Sequence, residues 1–322
     1  IPVGAPTFRE AIRYGAEVLR LWVASQEFSD DGRISETILV RLSEAYRKLR
    51  NTFRYALGNI YDFDPERDAL AAGEMLELDQ WILIRAARLV EQCRAWYKEL
   101  AFHRVYHAVY EFATTDLSAL YFDVLKDRLY TAAPASHSRR SAQTAVYKVN
   151  YALVRLLAPI LTFTTEEAWA AMRRPDGAPD SVHMALFPEP AELTGGLGEA
   201  DCERLAVWDR LVEVRGCVLK SLEAARQAKF IGAPLEACVR MTAGGDLYPL
   251  LERYAAELPA LFIVSQVKLE RSPEDVLSVH IGRAEGVKCN RCWKYSTGVG
   301  SDPRLPAVCP ACAAAVAEIV GA

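Results

Sequence analysis

The chain has 322 residues, of which 51% are apolar and 25% charged, with a formal net charge of −4. This length predicts two or three domains with a large buried core, and the composition excludes a disordered chain. No apolar run approaches the roughly 20 residues needed to cross a bilayer. Because the net charge is acidic, any contact with nucleic acid must come from local basic patches.

Apolar residues at three- and four-residue spacing predict a series of helices through the first two thirds of the chain. The clearest is residues 35–58, in which Ile38, Leu42 and Leu49 share one face and Gly58 provides a stop signal. The other predicted helices are residues 7–25, 78–100, 103–131, 141–157 and 165–172. Long helices with short polar connections predict an antiparallel helical bundle.

The composition changes after the helices. Prolines and glycines in residues 173–198 predict a surface linker, and residues 200–229 have a helical pattern again. Short β-like runs separated by one helical stretch then predict a small α+β unit. The predicted strands are residues 237–242, 261–269 and 276–281, and the predicted helices are residues 247–257 and 312–320.

We therefore predict a mainly α chain, with an antiparallel helical bundle followed by a small α+β unit and a four-cysteine module. The predicted boundaries are residues 1–30 for a junction to a preceding domain, 31–175 for the bundle, 176–235 for a linker and helix, 236–284 for the α+β unit and 285–322 for the cysteine module. The chain starts at Ile1 without a signal-peptide pattern. We interpret this start as an internal cut in a longer chain, the alternatives being a processed N-terminus or an expression scar.

The eight cysteines fall into two groups. Four form close pairs near the C-terminus, whereas Cys93, Cys202, Cys217 and Cys238 are scattered among apolar neighbours and are interpreted as small buried side chains. A secreted disulfide framework would be shorter and denser in cysteine. This usage therefore favours a reducing, cytoplasmic compartment.

Cys289-Asn-Arg-Cys292 and Cys309-Pro-Ala-Cys312 are separated by sixteen residues. Each CxxC knuckle is a tight turn that points two sulfurs at one spot, so the two pairs can surround one Zn²⁺ tetrahedrally. Four sulfur ligands leave no position for water, and we predict one structural zinc ion per chain. The alternatives are redox CxxC motifs, although neither pair lies in a βαβ pattern, and an iron–sulfur cluster.

Cations and aromatic rings surround these knuckles, namely Lys288, Arg291, Trp293, Lys294 and Tyr295. The mixture is typical of RNA loop recognition, in which charges meet phosphates and flat rings meet exposed bases. The alternative is that Trp293 and Tyr295 fill the small core of the module. We expect the basic residues to be exposed.

Two helical regions add basic residues. Arg47, Asn51 and Arg54 lie four and three residues apart, so they share one helix face on which arginine forks could bind phosphates. The alternative is an ordinary solvated face. The second region contains the candidates Lys126, Arg128, Arg139 and Arg140, for which the alternative is an intrahelical ion pair followed by a capping loop.

The sequence contains no complete catalytic motif. His280-Ile-Gly-Arg283 lacks the second histidine of a nucleotide-binding HIGH tetrapeptide and lies in a predicted strand. His103 and His107 have the spacing of a zinc-hydrolase helix, but Arg104 stands where the general-base glutamate should be. A glycine-rich phosphate loop, a nucleophile elbow and a Lys-Met-Ser-Lys segment are absent too. We therefore expect no catalytic centre in this chain.

The order of several motifs resembles that of class I aminoacyl-tRNA synthetases. Residues 14–24 look like the stretch after their ATP-handling loop, and Arg33-Ile-Ser-Glu36 with Arg50-Asn-Thr-Phe-Arg54 resembles the opening of their anticodon-binding domain. Segments similar to the isoleucine enzyme are Lys126-Asp-Arg-Leu-Tyr130, Arg139-Arg-Ser-Ala-Gln-Thr144 and residues 157–169, 222–226 and 231–237. The module from Cys289 to Cys312, with tryptophan after the second cysteine, is similar to the zinc domain of bacterial-type isoleucyl-tRNA synthetases. The resemblance runs from about Phe8 to the last cysteine.

The resemblance implies a function that periodicity alone does not. Members of this family activate isoleucine with ATP, transfer it to tRNA and hydrolyse mischarged valine in an inserted editing domain. This chain resembles only the part that grips the anticodon stem-loop of isoleucine tRNA, so the catalytic and editing domains would be its partners within one longer chain. We also expect a cytoplasmic monomer without a membrane contact, inactive by itself. The implied tRNA contacts are Arg47, Asn51, Arg54, Lys126, Arg128 and Trp293, and the basic candidates Arg139, Arg140, Arg291 and Lys294 complete the predicted set.

Three alternatives remain open from the sequence. One is the equivalent region of a sister enzyme for valine or leucine, against which the four-cysteine terminus argues. Another is a free-standing RNA-binding zinc protein. The third is a helical protein–protein scaffold whose zinc module only caps the fold. RNA binding with a steep salt dependence would argue against the scaffold.

Overall fold

The computed structural model describes residues 13–29, 32 and 34–321. The chain divides into two units, one comprising Ile1–Asp123 and Arg140–Cys202 and the other Val124–Arg139 and Glu203–Ala322. The prediction of a mainly α chain with small sheets and a cysteine cluster is confirmed. Residues 7–12 of the first predicted helix, and Arg33, lie outside the described residues.

Helices dominate the described chain. They are α1 (Ala16–Ala24), α2 (Glu36–Asn59), α3 (Glu77–Lys98), α4 (Phe102–Glu111), α5 (Phe122–Thr131), α6 (His137–Leu157), α7 (Thr162–Ala171), α8 (Pro190–Thr194), α9 (Glu199–Leu205), α10 (Val207–Gln227), α11 (Leu247–Arg253), α12 (Leu258–Phe262) and α13 (Pro310–Val320). A π-helical segment, Phe112–Tyr121, joins α4 to α5, and 3₁₀ turns lie at Ala72–Glu74, Val182–Met184 and Pro234–Glu236. Within the described part, no helix has the length and apolar character required to cross a membrane.

Helix α2 follows the sequence pattern closely. The Ser35 side chain accepts a hydrogen bond from the Ile38 N–H at 3.3 Å, which satisfies one of the free donors at the helix start. Leu39, Leu49 and Phe53 are at most 3% exposed and form the inner face. The opposite face is therefore left to polar side chains, as the predicted helix at residues 35–58 requires.

The predicted single helix at residues 103–131 is interrupted by the π-helical segment. There the Ser118 hydroxyl donates to the main-chain oxygen of Ala113, five residues earlier, at 2.7 Å. The Thr114 hydroxyl donates to the Tyr110 oxygen at 2.8 Å. Side chains that bond to nearby carbonyls compete with the regular α-helical ladder, and a wider turn changes which residues face inward.

The wider turn of the π-helical segment directs Tyr121 into a buried polar network in the first unit. The Asp79 side chain is 0% exposed and accepts hydrogen bonds from the Tyr121 hydroxyl at 2.7 Å and the Ser141 hydroxyl at 2.5 Å. Ser141 in turn accepts from the Leu76 N–H at 2.9 Å. Because Asp79 lies in the first turn of α3, its carboxylate also faces the positive end of that helix. The network ties the starts of α3 and α6 to the π-helical segment.

The segment predicted to be a surface linker packs on the first unit. Arg94 of α3 donates to the main-chain oxygen of Pro188 at 3.0 Å and lies 2.6 Å from the Glu189 carboxylate. Arg155 of α6 forms an ion pair with Glu192 of α8 at 2.5 Å. These contacts account for the grouping of residues up to Cys202 with the first unit.

The second unit contains a three-stranded sheet in the order β2-β1-β3, formed by β1 (Ala237–Ala243), β2 (Gln266–Arg271) and β3 (Leu277–Arg283). Strand β1 is parallel to β2 and antiparallel to β3. Val239 and Met241 are fully buried on the core face. A second, two-stranded sheet is formed by β4 (Val287–Lys288) and β5 (Tyr295–Ser296).

The strand predicted at residues 261–269 is wrong in its first part. Helix α12 occupies Leu258–Phe262 and has Pro259 in its first turn, where the missing N–H has no cost. Ile263 then takes a left-handed conformation, with φ of 58°, and ends the helix. Strand β2 starts only at Gln266. Apolar residues in a short run do not distinguish a buried helix from a strand.

Replacing Tyr121 by Phe removes one donor to the buried Asp79 carboxylate and keeps the ring. We expect the free energy of unfolding to fall by about 1–3 kcal/mol, the cost of leaving a buried acceptor short of a partner. Urea denaturation measures the change. Tyr61→Phe is the matched control. Because the Tyr61 side chain is 80% exposed, the free energy of unfolding of this variant should not change. Equal midpoints for the two variants would contradict the stabilising role of the network.

Candidate metal centre and nucleic-acid interface

The structure brings the four predicted metal ligands together. The sulfur atoms of Cys289, Cys292, Cys309 and Cys312 all lie within 4.8 Å of one another, and all but Cys292 are buried. The first knuckle lies between β4 and β5, whose register pairs Lys288 with Tyr295. The second knuckle opens α13, so a hairpin turn and a helix N-terminus present the two cysteine pairs to each other.

Backbone groups favour the thiolate form of Cys289. Burial tends to raise the pKa of this thiol, but the N–H groups of Cys292, Cys309 and Arg291 outweigh it and lower the pKa to about 6. The Cys309 N–H lies 3.3 Å from the Cys289 sulfur. Burial raises the pKa of the Cys292 and Cys312 thiols. A cation among the sulfurs would offset that cost and stabilise all four thiolates.

The donor set suits a soft metal with a closed coordination shell. Four sulfur donors arranged around one point match zinc or an iron–sulfur cluster, and they do not suit magnesium or calcium, which prefer oxygen ligands. Since the protein fills all four positions, a metal held here would have no open position for substrate. The arrangement can therefore fold a module but cannot activate water.

Arg291 and Lys294 point back into the second unit. The Arg291 guanidinium donates to the main-chain oxygen of Thr131, the last residue of α5, and its Nη1 lies 3.8 Å from the Cys312 sulfur. The Lys294 Nζ lies 2.6 Å from the Asp127 carboxylate. The expectation that the basic residues of this module are exposed is wrong for these two, because their charges satisfy the end of α5 and one of its carboxylates.

Trp293 is exposed, in contrast to the alternative in which its ring fills the module core. Its side chain is 61% exposed, and the Lys288 Nζ lies 5.7 Å from the centre of its ring. The Trp293 N–H donates to the Cys289 oxygen at 3.0 Å in the knuckle turn. This turn requires a φ of 65°, a left-handed conformation that is unfavourable for a bulky side chain. The sequence therefore places a large ring in a position where glycine would be easier to accommodate.

The predicted basic face of α2 is open to solvent. Arg47, Asn51 and Arg54 are all exposed, and within the part of the chain that the structure describes no hydrogen bond or ion pair holds their side chains. The flanking cations differ. Lys48 hydrogen-bonds to the Tyr110 hydroxyl at 3.1 Å, and Arg50 lies 3.7 Å from the Glu167 carboxylate.

The candidates around the turn between α5 and α6 divide into exposed and internal residues. Lys126 is exposed and Arg128 half-buried. Arg139 is only 7% exposed, and its guanidinium donates to the main-chain oxygens of Leu129 and Pro134 at 3.3 and 3.1 Å. Its expected role as a phosphate contact is corrected to that of a turn-stabilising group.

Arg140 belongs to the first unit and is also internal. Its side chain is 14% exposed and lies 3.5 Å from the Asp68 carboxylate, with further hydrogen bonds to the Asp62 main-chain oxygen and the Gln143 side chain. The charge is compensated by carboxylates that sequence proximity does not reveal. Arg140 is therefore no longer a candidate for phosphate binding.

Comparison with protein families matches two parts of the chain. Residues 79–241, half of the chain, match the family described as "Anticodon-binding domain of tRNA ligase". Residues 286–315 match the family described as "Zinc finger found in FPG and IleRS". The second match contains all four cysteines of the cluster, together with Trp293.

Curated relatives match nearly the whole chain. The isoleucine–tRNA ligase of Symbiobacterium thermophilum is 44% identical over an alignment that covers 95% of this chain and 34% of that protein. Those of Syntrophotalea carbinolica and Geobacter sulfurreducens are 45% and 46% identical over 95% and 94% of this chain. The chain spans about a third of the length of the curated relatives it matches.

Two substitutions at Trp293 separate the backbone strain from the ring. Trp293→Ala and Trp293→Gly both remove the Lys288 contact, but only glycine takes the left-handed conformation without cost. We expect the glycine variant to be more stable than the alanine variant by about 1 kcal/mol. Thermal unfolding of the second unit measures the difference. Equal stability of the two variants would show that the knuckle backbone is not strained.

Proposed function

The chain belongs to the family of anticodon-binding domains of tRNA ligases, and we propose that it is the tRNA-binding portion of an isoleucine–tRNA ligase. In this role it holds isoleucine tRNA by the anticodon stem-loop while a catalytic domain of the longer protein attaches isoleucine. The observation that carries the proposal is the succession of two matches in one chain, the anticodon-binding family over residues 79–241 and the zinc-finger family over residues 286–315.

The choice of isoleucine rests on two observations. The relatives that match nearly the whole chain carry the name isoleucine–tRNA ligase, and IleRS is one of the two proteins, with FPG, that the description of the C-terminal zinc-finger family names. A sister enzyme for valine or leucine is the nearest alternative, and the four-cysteine terminus argues against it.

The metal proposed for the cysteine cluster is one structural zinc ion. Zinc prefers tetrahedral coordination, which four thiolates can complete. The sulfur atoms of Cys289, Cys292, Cys309 and Cys312 lie close enough together to bind one ion. The backbone N–H groups that lower the pKa of the Cys289 thiol favour its thiolate form, which is the form that binds a metal. The four side chains fix the knuckles, and the knuckles then present Lys288 and Trp293 to solvent.

The proposed RNA contacts are the exposed members of the predicted set together with the half-buried Arg128. Arg47, Asn51 and Arg54 offer a phosphate-binding face on α2, and Lys126 and Arg128 offer a second basic region at the end of α5. Trp293 supplies a flat ring for an exposed base, and Lys288, which the predicted set left out, adds a cation beside that ring. Phosphate contacts hold the RNA in place, whereas base contacts select it.

The remaining parts of the reaction lie outside this chain in the proposal. The catalytic and editing domains of the longer protein are its partners, ATP binds to the catalytic domain, and this chain alone activates no amino acid. Isoleucine-dependent pyrophosphate exchange by the isolated chain would contradict that division of labour. We further propose that the protein is a cytoplasmic monomer, in keeping with tRNA charging in the cytoplasm.

Binding to tRNA is the direct test of the proposal. We expect the zinc-loaded chain to bind isoleucine tRNA more tightly than valine tRNA, with a preference that survives higher salt, because phosphate contacts weaken with salt and base contacts depend on it less. Affinities for both tRNAs at two salt concentrations measure this. Trp293→Gly is expected to reduce the preference, and Tyr61→Phe serves as the control. Equal, salt-labile binding would move selectivity outside this chain and favour a general RNA-binding zinc protein, and no binding to either tRNA would favour a helical scaffold.

Removal of zinc tests the metal assignment. A chelator should unfold residues 286–315 and leave the first unit folded, because all four ligands lie between Cys289 and Cys312. Amides at the end of α5 should also exchange faster, since Arg291 and Lys294 would lose their fixed positions. Hydrogen exchange with and without chelator measures both effects. Melting of the entire chain in one transition would contradict this prediction.

A further inference from the structure

A row of basic side chains crosses the exposed face of the three-stranded sheet. Arg240 in β1 is the register partner of Lys268 in β2 and of His280 in β3, and register partners on neighbouring strands point to the same face. All three residues are exposed. Val239 and Met241, which flank Arg240 along the strand, are fully buried on the opposite face. The row therefore lies on the solvent side of the sheet.

Arg240 and Lys268 are like charges directly opposite each other, an arrangement that destabilises a sheet unless anions lie against it. The Lys268 charge is compensated by Glu285 at 2.6 Å, and this contact lowers the pKa of the Glu285 carboxyl. Arg240 also feels the Glu285 charge. Across the described residues, however, no hydrogen bond or ion pair holds the Arg240 guanidinium. The central cation of the row, which stays charged at every physiological pH, thus has its donors available.

The chemistry of this face fits phosphate rather than bases. Gly282 lies beside Arg240, and a Cβ added to it would lie 3.8 Å from the Arg240 Nε. Because glycine has no side chain, the guanidinium is accessible from this side. The other residues on the same face include Thr242 and Ser278, the register partners in the next row. Besides these cations and hydroxyls the face carries one exposed carboxylate, Glu270, the register partner of Thr242, and it has no phenyl, phenol or indole ring. Such a surface can bind a sugar–phosphate backbone, but it has no aromatic platform on which bases could stack.

The row is attached to the module that carries Trp293. The Gln266 side chain at the start of β2 exchanges two hydrogen bonds with the Glu285 main chain, at 2.9 and 3.0 Å. The Tyr295 N–H donates to the Ser265 hydroxyl at 2.7 Å. These bonds fasten both sides of the first knuckle to the β2 edge of the sheet. The knuckle and the sheet are therefore directly connected neighbours within the second unit.

We propose that the exposed face of the sheet is a second RNA-binding surface, on which Arg240, flanked by Lys268 and His280, binds a backbone phosphate of the tRNA. The inference rests on the proposed function and assigns a residue set that the sequence patterns did not. Because every tRNA carries the same phosphates, this surface adds affinity without adding selectivity.

The test compares three variants of the full 322-residue chain. Arg240→Thr removes the charge and keeps a side chain suited to a strand, and Arg240→Lys keeps the charge. Arg210→Ala is the matched control, an exposed arginine on α10 of the same unit. The probes are transcripts of isoleucine tRNA and valine tRNA, titrated over a range of salt concentrations. Thermal unfolding confirms that each variant is folded.

We expect Arg240→Thr to lose affinity by about two- to fivefold, which is the contribution of one exposed ion pair. The loss should be the same for isoleucine tRNA and valine tRNA. The slope of log K against log salt should become shallower by about 0.7–0.9, one phosphate contact. Arg240→Lys should recover most of the affinity, and Arg210→Ala should match the original chain.

The outcomes separate this inference from the function on which it rests. If the original chain binds tRNA and Arg240→Thr binds with unchanged affinity and salt slope, the sheet-face inference is overturned alone, and an acidic protein surface becomes the partner that the row would fit. If the loss differs between the two tRNAs, Arg240 reads sequence and the phosphate assignment is overturned. If the original chain binds neither tRNA, the proposed function fails and this inference fails with it.

Discussion

The convergence of four cysteine sulfurs on one point organises the C-terminal module, because the module has little other core. Its buried cluster consists of Cys289, Cys309 and Cys312, with Cys292, Val299 and Val308 packed against it. A segment of this size cannot bury enough apolar surface to offset the entropy of ordering its backbone. The proposed zinc ion supplies that missing stabilisation, and the conformations of the knuckle residues follow from it.

Once the knuckles are fixed, neighbouring side chains are directed to opposite sides. Arg291 and Lys294 reach the end of α5, where they bind the Thr131 oxygen and the Asp127 carboxylate. Trp293, between them, is held in a left-handed conformation with its ring in solvent. A strained position that exposes a large ring gains little from burial, which is the reason to interpret Trp293 as a recognition residue. The same turn thus anchors the module and exposes the ring that we propose as an RNA contact.

The distribution of charge is consistent with a chain whose formal net charge is −4 and whose proposed ligand is a polyanion. Several arginines serve internal structure, among them Arg139 in the turn after α5 and Arg155 against Glu192. The cations proposed for RNA are concentrated on α2, at the knuckle and on the sheet face. Local patches of this kind attract phosphate within about one Debye length, roughly 10 Å at moderate salt, whatever the overall charge.

The sequence by itself determined the features that depend on neighbours along the chain. The spacing of Cys289 to Cys312 identified the cysteine cluster because a CxxC turn has few conformations, and the apolar period of α2 identified its buried and exposed faces. Only the tertiary structure decided which basic residues remain available. Arg291 reaches an oxygen 160 residues earlier in the chain, Arg140 is compensated by Asp68, and the π-helical register that brings Tyr121 to Asp79 leaves no periodic signal. The row of Arg240, Lys268 and His280 exists only after three strands pair. Local spacing determines backbone turns and which residues share a helix face. Whether a long charged side chain is exposed or paired depends on acceptors that distant segments bring within its reach.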